Sequence, residues 1–206
     1  MKSLKIAFLL GMLAALPALA QAPVDVNVFA SWVDAQGDNV LDEGVETNFE
    51  SGTGFGIGVN WFWGPRFSTE LSASALSLDA GIDFDGEPTV DLGSVDLTPI
   101  IGTFQFHFAR DSVIDPYVGV GAAYVLADDL ESDDLDELEI GAIEVDDEIT
   151  YVLNAGLGVR LTDTFGLYLD GKYVPLEPAT RAPGDEEDVD LEINPLIVSA
   201  GLRLRF

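Results

Sequence analysis

Few residues in this 206-residue sequence are of types that do chemistry. There is no cysteine, and there is one histidine, His107. That excludes a thiolate nucleophile, a disulfide scaffold and a multi-histidine metal site. His107 has Thr103 and Gln105 at period-2 spacing on its own face, with serines nearby. Given a serine nucleophile and an orienting carboxylate, it could serve as the base of a lipid-A hydrolase. Sequence spacing shows no such geometry, so a structural histidine is the simpler reading.

The other chemical candidates are weaker. Asp128-Asp129-Leu130-Glu131-Ser132-Asp133-Asp134-Leu135-Asp136-Glu137 invites a calcium reading, but it lacks the central glycine and ligand order of an EF-hand loop. It reads as a solvated charged loop, and no metal or cofactor is expected. Gly54-Phe55-Gly56-Ile57-Gly58 only superficially resembles a dinucleotide fingerprint, because it lies within a strand pattern and opens no helix. With 37 acidic and 9 basic residues, a formal net charge of -28, the chain is a poor partner for nucleic acid. Yet it is 48% apolar and 10% aromatic, unlike a disordered acidic chain.

The elements that must hold these residues begin with an address. Met1 to Ala20 has Lys2 and Lys5 ahead of an apolar run from Ile6 to Leu16 and a small-x-small ending, Ala18-Leu19-Ala20. This predicts a signal peptide over 1–20, cut after Ala20 and too short to span a membrane as a helix. Residues 21–206 would form one barrel domain with 7 basic and 37 acidic residues, a net charge of -30.

Beyond the leader, period-2 alternation recurs. It is clearest in Thr53 to Trp63, Ile149 to Leu161 and Leu196 to Phe206, and weaker in Val24 to Val33, Phe67 to Leu78, Leu97 to Phe108, Pro116 to Leu126 and Phe165 to Val174. Eight strands of about 9–12 residues match what tilted strands need to cross a bilayer. Pro99 cannot donate to a ladder and is expected near the start of the fourth strand. Short connectors at Trp63 to Arg66, Ala109 to Asp115 and Thr162 to Thr164 alternate with long acidic ones at Asp34 to Glu50, Asp79 to Asp96, Asp128 to Glu148 and Glu177 to Glu192. The four long stretches hold 31 of the 37 acids.

The expected fold is therefore all-β: an eight-stranded antiparallel transmembrane β-barrel with short periplasmic turns and long acidic extracellular loops. A soluble barrel would need something to cover its apolar stripe. The membrane barrel turns that stripe to lipid and its small and polar face inward. The inner face could pair Arg160, Lys172, Arg203 and Arg205 with Glu70 and Asp170. Trp61, Trp63, Phe67, Phe104, Phe106, Phe108, Tyr117, Phe165 and Phe206 fall at strand ends beside the short turns, as an interfacial girdle does. Phe206 closes an alternating strand, a pattern that the barrel-assembly machinery reads.

The sequence resembles the OmpW family of small outer-membrane proteins. The likeness lies in Leu97-Thr98-Pro99-Ile100-Ile101, Asp115-Pro116-Tyr117-Val118-Gly119-Val120-Gly121, Leu153-Asn154-Ala155-Gly156-Leu157-Gly158-Val159, Ile193-Asn194-Pro195 and the closing Ser199-Ala200-Gly201-Leu202-Arg203-Leu204-Arg205-Phe206. The resemblance implies a barrel in the outer membrane of a Gram-negative bacterium, with a passage for small hydrophobic solutes. Inward Phe62, Leu76, Leu78, Ile101, Val152 and Tyr168 would then be its lining. Two other readings stand beside this one: a surface-interaction barrel acting through its acidic loops, and a membrane-embedded lipid-modifying enzyme. Expected partners are outer-membrane lipid and lipopolysaccharide, whose phosphates could share divalent cations with the loop carboxylates.

Overall fold

The computed structural model describes residues 23–34, 38–42, 45–49, 51–84, 90–127, 144–145, 148–176, 179–181, 189–190 and 194–206. The expected signal peptide and the acidic run from Asp128 to Glu137 lie outside the described residues.

Eight strands form the barrel: β1 (Val24–Asp34), β2 (Gly52–Phe62), β3 (Phe67–Phe84), β4 (Val90–His107), β5 (Ile114–Ala127), β6 (Glu148–Arg160), β7 (Phe165–Tyr173) and β8 (Leu196–Arg205). Each pairs antiparallel with its neighbours in chain order, and β1 pairs with β8 from Asp25↔Arg205 to Asp34↔Leu196. The sheet therefore closes, so within the barrel wall no strand is left with an unpaired edge facing lipid. Phe206 N–H donates to the Val24 carbonyl at 3.0 Å, which brings both ends of the domain to the short-turn side. In outer-membrane barrels that side faces the periplasm.

Alternation sorts the residues as the sequence predicts. Outward positions such as Phe55, Val118, Val120, Leu153, Leu167, Leu169 and Leu202 are exposed, and most intervening positions are buried or half-buried. Val24, Val26 and Ile57, of outward parity, are instead buried in a cluster of their own. Bare apolar side chains on this scale are stable only against hydrocarbon. Near the short turns, Trp61 stacks on Trp63, Phe67 stacks on Phe104, and Phe106 meets Phe108 edge-on. Tyr117 departs from the expected girdle. It has the parity of Asp115 and Gly119, points into the barrel and is 1% exposed.

Two further expectations need correction. The stretch Asp79 to Asp96, read as a loop, is largely strand, because β3 and β4 keep pairing from Leu78↔Val95 to Ile82↔Val90. Strand pairing also continues in the first long connector, where Asp38–Asp42 pairs with Val45–Phe49 and the latter with β3. Acidic side chains set no limit on a ladder built from backbone groups. Pro99 lies nine residues into β4, not near its start, and its ring interrupts the β3 ladder. Pairing stops at Leu76↔Leu97 and resumes at Ala73↔Ile100 with the register unchanged. Proline has no N–H to donate, so a ladder hydrogen bond to β3 is missing where Pro99 stands across from Ser74.

Candidate functional site

The lumen has three tiers. At the short-turn end is a polar floor. His107 bridges Asp115 through Nδ1 (2.7 Å to Oδ2) and Ser68 through Nε2 (2.8 Å to Oγ). Asn60 Nδ2 donates to Gln105 Oε1 at 2.8 Å, beside Ser68. The Phe62 ring packs against His107, and the Arg110 guanidinium caps that ring at 3.3 Å from its centroid. Arg110 stands in a short turn, where partial burial lowers its pKa against the opposing pull of Asp25. Asp25 is fully buried, 3.7–3.9 Å from the guanidinium nitrogens of Arg110, Arg203 and Arg205.

Above the floor is a waist of interlocked charges. Lys172 Nζ lies 3.2 Å from Glu70 Oε1 and also pairs with Asp170. Tyr117 O–H donates to Asp170 Oδ2 at 2.8 Å, and Asn154 Nδ2 donates to the same oxygen at 3.0 Å. Asn27 Nδ2 donates to Glu70 Oε2 at 3.1 Å while its own Oδ1 accepts from Arg203 Nε at 2.9 Å. Phe29 packs on Tyr168. Asp25, Glu70, Asp115 and Asp170 face Arg110, Lys172, Arg203 and Arg205, so floor and waist bring four carboxylates together with four cations. A charge taken out of water is tolerable only in such company.

The third tier is apolar. Leu76, Leu78, Ile101 and Val152 join Val33, Ala123, Val125, Val174, Leu176 and Ile197 in one buried cluster on the long-loop side of the waist.

All six expected lining residues point inward and are at most 3% exposed, but they are not together. Leu76, Leu78, Ile101 and Val152 share the apolar tier, Tyr168 belongs to the waist and Phe62 to the floor. Of the bases expected to meet Glu70 and Asp170, only Lys172 does so by ion pairing. Arg203 and Arg205 turn to Asp25, and Arg160 Nη2 donates to the Asp111 carbonyl at 2.8 Å. Asp25 and Asp115 were missing from the expected network. The available signal was scarcity: only six acids, among them these two, lie outside the long acidic stretches.

Ser68, His107 and Asp115 have the distances of a nucleophile, base and orienter. Ser68 and His107 are 0% exposed, and Asp115 is 3% exposed. Ser68 Oγ lies 3.4 Å from Gln105 Oε1 and 2.8 Å from His107 Nε2. The arrangement is a buried hydrogen-bond relay that satisfies three polar groups inside the barrel.

A model described as the OmpW family matches residues 19–206. No curated protein matches the chain. Among solved structures, the crystal structure of the outer membrane protein OprG from Pseudomonas aeruginosa aligns with a TM-score of 0.72 at 14% identity, covering 90% of this chain and 96% of that one. The solid-state NMR structure of outer membrane protein AlkL in DMPC lipid bilayers gives 0.64 at 20% identity, covering 90% of each chain. The solution structure of the E. coli outer membrane protein W gives 0.56 at 13% identity, covering 90% of this chain and 98% of that one.

Proposed function

The chain belongs to the OmpW family, and from that premise we propose that this outer-membrane β-barrel is a passive conduit for small hydrophobic molecules. The observation that carries the reading is the apolar tier around Leu76, Ile101 and Val152, set directly above a charged waist. An apolar solute gains by leaving water for such a tier, by about 25 cal/mol per Å² of apolar surface buried. It gains nothing by going deeper, because Lys172, Glu70 and Asp170 would have to be separated to let it pass.

A sideways exit supplies the rest of the route. The missing ladder bond where Pro99 stands across from Ser74 adjoins Leu76 and Ile101 of the apolar tier. A seam that lacks a ladder hydrogen bond is a weaker place in a barrel wall, and beyond it lies hydrocarbon. The solute would enter from the long-loop side, rest in the apolar tier and leave into the membrane between β3 and β4.

Uptake of a hydrophobic solute into liposomes carrying the barrel tests this. Leu76→Glu is expected to slow uptake, whereas Phe62→Glu, below the waist, leaves it near the wild-type rate. Unchanged uptake in Leu76→Glu would remove the apolar tier from the route. Slowing by Phe62→Glu in a correctly folded barrel would restore a straight passage.

A further inference from the structure

The barrel closes where its first and last strands meet, and no turn joins β1 to β8 to set their register. Along the lumen side of this seam, five residues of β1 face five of β8. Asp25 stands opposite Arg205, Asn27 opposite Arg203, Phe29 opposite Gly201, Ser31 opposite Ser199 and Val33 opposite Ile197. We propose that these pairs are a register lock, which selects the one closing alignment in which the charged waist and the apolar tier form.

Each pair is matched in chemistry or in shape. Arg205 Nε lies 3.7 Å from Asp25 Oδ2, and Arg203 Nε donates to Asn27 Oδ1 at 2.9 Å. The Ser31 and Ser199 hydroxyls are 2.8 Å apart, and Val33 and Ile197 are buried in the apolar tier. Between these pairs the two strands approach closely. A Cβ at position 201 would lie 2.6 Å from the Phe29 Cα, so only glycine can stand there. On its other side, from Asn27 to Val33, β1 faces Gly58, Gly56, Gly54 and Gly52 of β2, which offer no side chain to match. The outward pairs of the closing seam include Val26 with Leu204, Val28 with Leu202 and Ala30 with Ala200. These are all aliphatic and suit other alignments equally well.

Alternation makes two residues the smallest slip that keeps inward side chains inward. One such slip brings Ser199 opposite Phe29 and Ile197 opposite Ser31. The other brings Arg203 opposite Phe29 and Ser199 opposite Val33. Either one puts a Cβ where the strands leave no room and separates the two hydroxyls. The backbone ladder discriminates poorly, because its donors and acceptors are alike at every residue. The stagger summed around a closed barrel fixes its tilt and width. A slip at this seam therefore changes which inward residues meet across the lumen, Lys172 and Glu70 among them.

The chain has no native cysteine, so an engineered pair reports the alignment. Ala30→Cys is combined with Ala200→Cys for the observed register, and with Val198→Cys or Leu202→Cys for the two slips. A disulfide forms readily only between directly opposite positions. The full-length chain is refolded from urea into phosphatidylcholine vesicles and oxidised, and the cross-linked fraction is read on non-reducing gels. In the otherwise wild-type chain only the pair at 30 and 200 is expected to cross-link. Gly201→Ser with Ser199→Gly places glycine opposite Phe29 in the slip that aligns 30 with 198. More than half of the cross-linking is expected to move to that pair. The milder Ser31→Ala with Ser199→Ala keeps Gly201 and is expected to raise a slipped cross-link by about twofold to tenfold, the worth of one hydrogen bond. The proposal is overturned if the exchanged variant folds and still cross-links at 30 and 200 alone, or if the milder variant matches wild type at all three reporters. Should the exchange prevent folding, the milder variant decides.

Discussion

The Tyr117 hydroxyl lies 2.2 Å from where a Cβ at position 156 would stand, and the two residues face each other as register partners on β5 and β6. Tyr117 can reach Asp170 on β7 only because β6, the strand between them, contributes no side chain at that height. Gly156→Ala is therefore expected to destabilise the barrel by roughly 1–3 kcal/mol through overpacking. The urea midpoint of the barrel in lipid vesicles measures the loss. In a Tyr117→Leu background the same substitution should cost much less, and additive losses would refute the steric account.

Lys172 is the cation between two carboxylates, Glu70 and Asp170. Lys172→Met leaves both acids buried without it and is expected to cost roughly 3–5 kcal/mol. Replacing all three, as Lys172→Met with Glu70→Gln and Asp170→Asn, should recover more than half of that loss. The same urea titration reads both variants.

Pro99 separates two paired segments of the β3–β4 seam. Pro99→Ala restores an N–H to the ladder, so the seam is expected to gain about 0.5–1.5 kcal/mol from one added hydrogen bond. If solutes leave through this seam, liposome uptake of a hydrophobic probe falls in the same variant. A stabilised barrel with unchanged uptake would place the exit elsewhere.

His107 bonds to Ser68 on one side and Asp115 on the other, all within the barrel. His107→Ala is expected to lower stability by about 1–3 kcal/mol, because it strips partners from buried polar groups. Lipid A isolated from cells expressing the variant should match wild type by mass spectrometry. A change in lipid A that depends on His107 would revive the hydrolase reading.

The fold was legible in the sequence because its causes are local. Period-2 alternation, the distribution of the acids and the alternation of short and long connectors each depend on residues close together in the chain. They were enough to expect eight strands and the outward face of Phe55, Leu153 and Leu202. Alternation also settled which way Phe62, Leu76, Leu78, Ile101, Val152 and Tyr168 point, as members of the inward set.

The height of each side chain in the lumen was decided only by tertiary structure. Parity tells inside from outside, but the stagger between strands determines which inward residues meet. That stagger sets Arg203 against Asn27 and Asp25, sets Lys172 against Glu70, and places Tyr117 opposite a glycine rather than in the aromatic girdle. It also divides the six inward residues among floor, waist and apolar tier. Burial forces each charge to find a partner, yet Glu70 and Lys172 are 102 positions apart in the sequence, and only the closed ladder puts them within 3.2 Å.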